Sequence, residues 1–171
     1  MWGKIVFSLL VVFFVIISSH LFSIADAIDD ITAASKAQLE ENYDEAIRLY
    51  TKAIKSEELK ENLILGYVRR GSCYEAKGQL DRALEDYTSA IKLESNNSYH
   101  FTARGIIYMK KGFWDRAIED FTEAINLNPS NINAYKQRAI AYEKKGMTEN
   151  VKEDLRKVMQ LGVESGGKAS F

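Results

Sequence analysis

The stretch YVRRGSCYEAKGQLDRALEDYTSAIKLESN, beginning at Tyr67, aligns without a gap with FTARGIIYMKKGFWDRAIEDFTEAINLNPSN, beginning at Phe101, at a spacing of 34 residues. Another 34 residues on stands YKQRAIAYEKKGMTENVKEDLRKVMQLG, from Tyr135. Backward, YDEAIRLYTKAI from Tyr43 matches LDRALEDYTSAI from Leu80 at a spacing of 37, so three residues enter the SEELKEN connection. A chain built this way makes no single central core. Each unit must bury its apolar face against the next, which dictates a stacked linear array.

The repeated positions specify helices. Gly71, Gly105 and Ala139 fall where two helices cross closely, facing Ala83, Ala117 and Val151, so neither partner can be large. Rings at Tyr74, Tyr108, Tyr142, Tyr87 and Phe121 fill the gaps between helices. Gly78, Gly112 and Gly146 stand at helix ends, where a left-handed residue closes the turn at little cost. Asp81 and Asp115 place negative charge at the start of the following helix, favoured by its dipole. Pro129, the only proline, stops the helix before it.

This 34-residue pattern resembles the tetratricopeptide repeat family of stacked helix-turn-helix units. The third unit carries it best, with Phe101, Gly105, Tyr108, Ala117, Phe121 and Pro129 at the family's spacing. The second keeps Tyr67, Gly71, Tyr74, Ala83 and Tyr87, with Ser95 in place of proline. The first retains Ala34, Ala46, Tyr50 and Ala53 without aromatic anchors in its leading helix; the fourth has Tyr135, Ala139, Tyr142 and Gly146, then Val151 and Leu155. The resemblance implies an all-α, right-handed α-solenoid of antiparallel helix pairs, about four units and seven to eight helices, behind one hydrophobic N-terminal segment. The expected division is 1–27 signal or anchor, 28–60, 64–97, 98–131 and 132–161 as repeats, and 162–171 as a flexible tail. The last helix, with Val151, Leu155, Val158 and Met159 on one side, is expected to cap the array with a polar outer face.

One column departs from the family, which favours an apolar residue before the glycine of the first helix. Here it reads Arg70, Arg104 and Arg138, and sixteen residues later each unit has an acid: Asp86, Asp120 and Asp154. In the first unit the columns read Ala33 and Leu49, so both charges vanish together. The reading is that each Arg pairs with its own unit's Asp as scaffold, not as a row gripping an acidic ligand.

In such an array the first helix of each pair lines the concave face. Its outward columns assign a partner-binding groove to Leu65, Val68, Arg69 and Ser72 in the second unit, to Tyr99, Thr102, Ile106 and Met109 in the third, and to Lys136, Gln137 and Ile140 in the fourth. Apolar residues with polar edges suit a peptide or helix of a protein partner. Some family members clamp a C-terminal carboxylate with Lys and Asn at fixed places on this face. Ile31 and Ser35, or Val68 and Ser72, stand there instead, which disfavours chaperone-tail binding.

Other chemistry is sparse. Cys73 and the histidines His20 and His100 offer no disulfide, metal or nucleophile arrangement, no cofactor is implied, and no carboxylate is evident beside His100. Net charge is -1, which gives no reason to bind nucleic acid. The Lys-rich clusters before Gly112 and Gly146 read as a solvated face or turn edge, and Asn96-Asn97-Ser98 is a glycosylation sequon.

The N-terminal segment has Lys4, the apolar run IVFSLLVVFFVII from Ile5 to Ile17, and Ala25-Asp26-Ala27, the three parts of a secretory signal. Extended through Ile24, residues 5–24 also suffice to anchor the chain in a membrane. Either fate exports the folded part: periplasmic or secreted if cleaved after Ala27, membrane-tethered otherwise. The expected function is a non-enzymatic adaptor; the alternative is a self-assembling homo-oligomeric component using the bare first unit.

Overall fold

The computed structural model describes residues 28–55 and 60–166 (backbone alone for 164–166), together with Phe13, Phe14, Ile17 and Asp26. Every regular element among them is helical. The chain divides into two compact units, residues 1–73 and 74–171.

The first unit contains α1 over 28–39, α2 over Tyr43–Lys55, and most of α3, which spans Lys60–Ala76. Small residues let α1 and α2 pack closely: Ile31, Ala34, Ala37, Ala46, Leu49, Tyr50, Ala53 and Cys73 form one buried cluster. The Tyr50 hydroxyl donates to Gln38 Oε1 at 3.0 Å, which satisfies its polar tip inside that cluster. A methyl group on Gly66 would stand 2.7 Å from Ile54 Cγ1, so α3 approaches α2 at a place the repeat pattern did not single out. Cys73 is wholly buried, and burial pushes its thiol up to about 11.

The second unit holds α4 over Leu80–Leu93, α5 over Ser98–Lys110, α6 over Trp114–Leu127, α7 over Ile132–Lys144 and α8 over Thr148–Gly166. Helix α5 packs on α4, α6 and α7, and α7 packs in turn on α6 and α8. Gly105 is a close crossing as expected, but the nearest atoms to a methyl there belong to the Phe121 ring, at 2.7 Å, rather than to Ala117. The glycine makes room for the Phe121 ring. Ala124, Ile125, Ala134, Tyr135 and Leu161 carry the core onward through α6, α7 and α8. Helix α8 continues to Gly166, five residues into the stretch expected to be a flexible tail; no proline interrupts it.

The turns repeat a single hydrogen-bonding scheme. Gly78, Gly112 and Gly146 have φ of 72, 76 and 73°. The residue after each sends its N–H back to a tyrosine carbonyl: Gln79 to Tyr74, Phe113 to Tyr108 and Met147 to Tyr142, at 2.8, 2.9 and 3.0 Å. At the start of α5 and α7, Asn97 and Asn131 accept from the first-turn N–H groups of Tyr99 and Ala134, each at 3.0 Å. In the first unit the same turn is closed by Glu41, at φ 58°. A non-glycine residue there costs about 1 kcal/mol. Glu41→Gly is therefore expected to raise stability by about 1 kcal/mol, read as a higher urea midpoint.

A second expectation concerns the thiol. Its folded value lies above its ordinary value of 9.0, so the stabilisation from keeping it protonated is complete below that value and disappears as pH rises toward about 11. At pH 8 a thiol-specific chromogenic disulfide should react with Cys73 only after denaturant is added; rapid reaction of the native chain would contradict the buried placement.

Candidate functional site

Of the three Arg–Asp pairs expected, two lie inside the second unit, and both form. Arg104 donates from Nε and Nη2 to the two carboxylate oxygens of Asp120, at 2.9 and 2.7 Å. Arg138 repeats the fork on Asp154 at 2.9 and 2.7 Å. The acids are buried. Burial pushes the Asp120 carboxyl up, and the guanidinium opposes it. The same bonds hold Arg104 above its ordinary value, and the two-point geometry keeps the pair ionised.

The remaining guanidinium nitrogen reaches the repeat before. Nη1 of Arg138 donates to Thr122 at 2.9 Å, Nη1 of Arg104 to Thr88 at 3.3 Å, and in the first unit Nη1 of Arg70 to Thr51 at 2.9 Å. Each Arg thus bridges two repeats, and the threonines recur at the repeat spacing. A second ladder runs along the turns, where Lys111 pairs with Asp81 and Lys145 with Asp115. These lysines belong to the clusters read as solvated turn edges; the structure gives them partners in the preceding repeat. The charged columns pair within and between repeats, and they leave the outward face of α5 and α7 free of these ladders.

On that face Tyr99 is 57% and Ile140 40% exposed, Ile106 and Met109 are half-buried, and Lys136 is exposed. Gln137 is half-buried and donates to Asn133 Oδ1 at 3.3 Å. Thr102 does not belong with them: it is 4% exposed. Its hydroxyl donates to the Ser98 carbonyl at 2.9 Å and accepts from Asn131 Nδ2 at 3.0 Å. The cap of α7 leans over that turn of α5 and consumes the hydroxyl. Ala103, the next residue of α5, is also buried. In the first unit, Leu65 and Arg69 are exposed, whereas Val68 and Ser72 are half-buried on α3.

The residue pattern gave no sign of an open cleft of about 690 Å³ where α5 and α7 begin, lined by Glu94, Asn97, Tyr99, Asn131 and Asn133 among others. It adjoins the groove at Tyr99 and is rich in side-chain amides. Beside it His100 is buried, with Nε2 2.8 Å from Glu94 Oε2, so this histidine does have a carboxylate neighbour, supplied by the residue just past α4. Asn96, of the sequon, is exposed in the turn before α5. Among the described residues, no cluster of His, Cys, Asp and Glu could hold a metal ion, and no helix is long and apolar enough to cross a membrane. Almost all of residues 5–24, and Ala25 and Ala27, lie outside the described residues.

Paired antiparallel helices with glycine-closed turns and small residues at each crossing define a helical-repeat protein. Comparison names the repeat: residues 64–97 match the family model described as tetratricopeptide repeat, and 105–146 match the one described as TPR repeat. These segments are tetratricopeptide repeats. No curated protein matches the chain by sequence. Among solved structures, MamA residues 41 to the end from Desulfovibrio magneticus RS-1 superposes with a TM-score of 0.74 at 18% identity, covering 81% of this chain and 77% of that one. The second TPR of Spaghetti (RPAP3), bound to the HSP90 peptide SRMEEVD, does so with a TM-score of 0.56 at 28% identity, covering 57% of this chain and 91% of that one. The first TPR of the same protein, with the same peptide, gives 0.66 at 20% identity, covering 71% and 94%.

If the Arg forks set register and mainly compensate their own desolvation, Asp120→Asn should cost about 3 kcal/mol by leaving the half-buried Arg104 without its counter-charge. Arg104→Met with Asp120→Leu should fall within about 1 kcal/mol of the parent. Urea unfolding of the single and double variants checks both. A double variant as unstable as the single would show that the pair supplies stability beyond charge compensation.

Proposed function

We propose that this protein is a non-catalytic interaction adaptor whose α5–α7 face binds an extended or helical segment of a partner protein. The observation that carries the reading is the set Tyr99, Ile106, Met109 and Ile140, which keeps apolar surface at or near solvent on two neighbouring leading helices. Lys136 and Gln137 edge this stripe with polar groups, and the amide-rich cleft at Tyr99 offers acceptors and donors for a peptide backbone. That similarly folded repeats in Spaghetti hold a peptide agrees with this use of the fold. Val68 and Ser72 occupy two of the places where a carboxylate clamp would stand, so the proposed ligand is an internal apolar segment rather than an acidic chain end.

We also propose that the domain works after export, released by cleavage after Ala27 or held by residues 5–24; the signal-like order of Lys4, apolar run and Ala25-Asp26-Ala27 supports this. Mass measurement of the natural chain decides between the two fates: a mature N-terminus at Ile28 shows release, and an intact chain in the membrane fraction shows tethering. An intact chain recovered in the cytosol defeats the export proposal.

The groove is tested by cross-linked capture from native extract with the parent and a Tyr99→Asp, Ile140→Asp variant, both sites being exposed enough to change without unfolding. Loss of a captured protein by about ten-fold or more, with unchanged circular dichroism, is the expected outcome. Capture of the same proteins by both chains would rule the α5–α7 face out.

A further inference from the structure

The last helix does not present the polar outer face expected of a cap. Leu155, Met159 and Val163 are 46, 65 and 76% exposed, and at spacings of four they form one stripe along α8. The repeat register explains what the stripe is. Leu155 stands 34 residues after Phe121, and Met159 34 after Ile125. In the third repeat both are buried, Phe121 completely and Ile125 in the cluster it makes with Ala134 and Tyr135 of α7. Ile125 is the member of the pair that meets α7, while Phe121 lies against Gly105 of α5, so on α8 Met159 occupies the column where the next helix packs and Leu155 stands exposed one turn before it.

The polar partner in that register is inverted. Thr122 accepts a hydrogen bond from Arg138 of the incoming helix at 2.9 Å. The equivalent residue of α8 is Arg156, exposed, with Lys152 one turn before it on the same face. Lys152 is occupied by Glu149 at 2.8 Å. A helix docking here as α7 docks on α6 must therefore bring an acceptor, not a cation, to the column where the repeats carry Arg.

No leading helix of a second copy meets this requirement. Helices α3, α5 and α7 bring Arg70, Arg104 and Arg138, which would meet Arg156 with like charge. Helix α1 brings Ala33, and it places Glu40 where Lys111 and Lys145 meet the acids of the preceding repeat, opposite Glu149. We infer that the outer face of α8 is a second docking site, distinct from the α5–α7 groove, for an amphipathic helix of a different protein that sets a carboxylate against Arg156.

The probe is a hydrocarbon-stapled peptide with the α7 sequence INAYKQRAIAYEK, made as Arg138→Glu and with Arg138 retained, the two matched for helicity by circular dichroism. Fluorescence anisotropy with the full chain should show the Glu peptide binding about ten-fold tighter than the Arg peptide. Arg156→Glu in the chain should invert that preference, and Leu155→Asp with Met159→Asp should weaken both peptides by about ten-fold. No binding of either peptide at millimolar concentration overturns the proposal, as does a preference that survives Arg156→Glu. Concentration-dependent self-association abolished by Leu155→Asp with Met159→Asp also overturns it, since the occupant would then be a second copy.

Discussion

The guanidinium fork is the contact that sets register through the second unit. Arg104 and Arg138 each join the two helices of their own repeat through a buried carboxylate and then extend one more N–H to the threonine of the repeat before. Helix pairs of this kind have no core of their own, so a polar contact that fixes spacing within a pair and register between pairs substitutes for long-range packing. The rigid geometry of the guanidinium suits this double role, because two N–H groups face the acid in one direction and a third points elsewhere. A lysine could serve only one of these partners well.

Around the fork the apolar contacts are local. The Phe121 ring lies against Gly105, and Ile125 hands the core to Ala134 and Tyr135 on the next helix. Small residues set how near the helices come, and rings set how the remaining volume is filled. What these contacts do not use, on α5 and α7, is a short apolar stripe beside an amide-lined cleft, the face proposed for a partner.

The pairing of Arg with the acid of its own unit was legible in the sequence because the first unit loses both at once, as Ala33 and Leu49. The threonine partner was not. Thr51, Thr88 and Thr122 recur at the repeat spacing, but a hydroxyl fits a solvated helix face equally well. Thr102 was misplaced on the outward face because periodicity counts helical turns and takes no account of the neighbouring cap, Asn131, that folds over the first turn of α5. The outer face of α8 was misread for a related reason. Its charges suggested a terminal cap, yet the buried or exposed fate of Leu155 and Met159 depends on what packs against them, and no pattern within one helix encodes that.

The two ladders of the second unit differ in their access to water. Asp120 and Asp154 are buried against half-buried arginines, whereas Asp81 and Asp115 meet Lys111 and Lys145 at the surface along the turns. Dissolved ions screen exposed charges within a Debye length of about 8 Å at physiological strength and barely reach buried ones. Salt therefore loosens one margin of this helical stack while the other stays clamped.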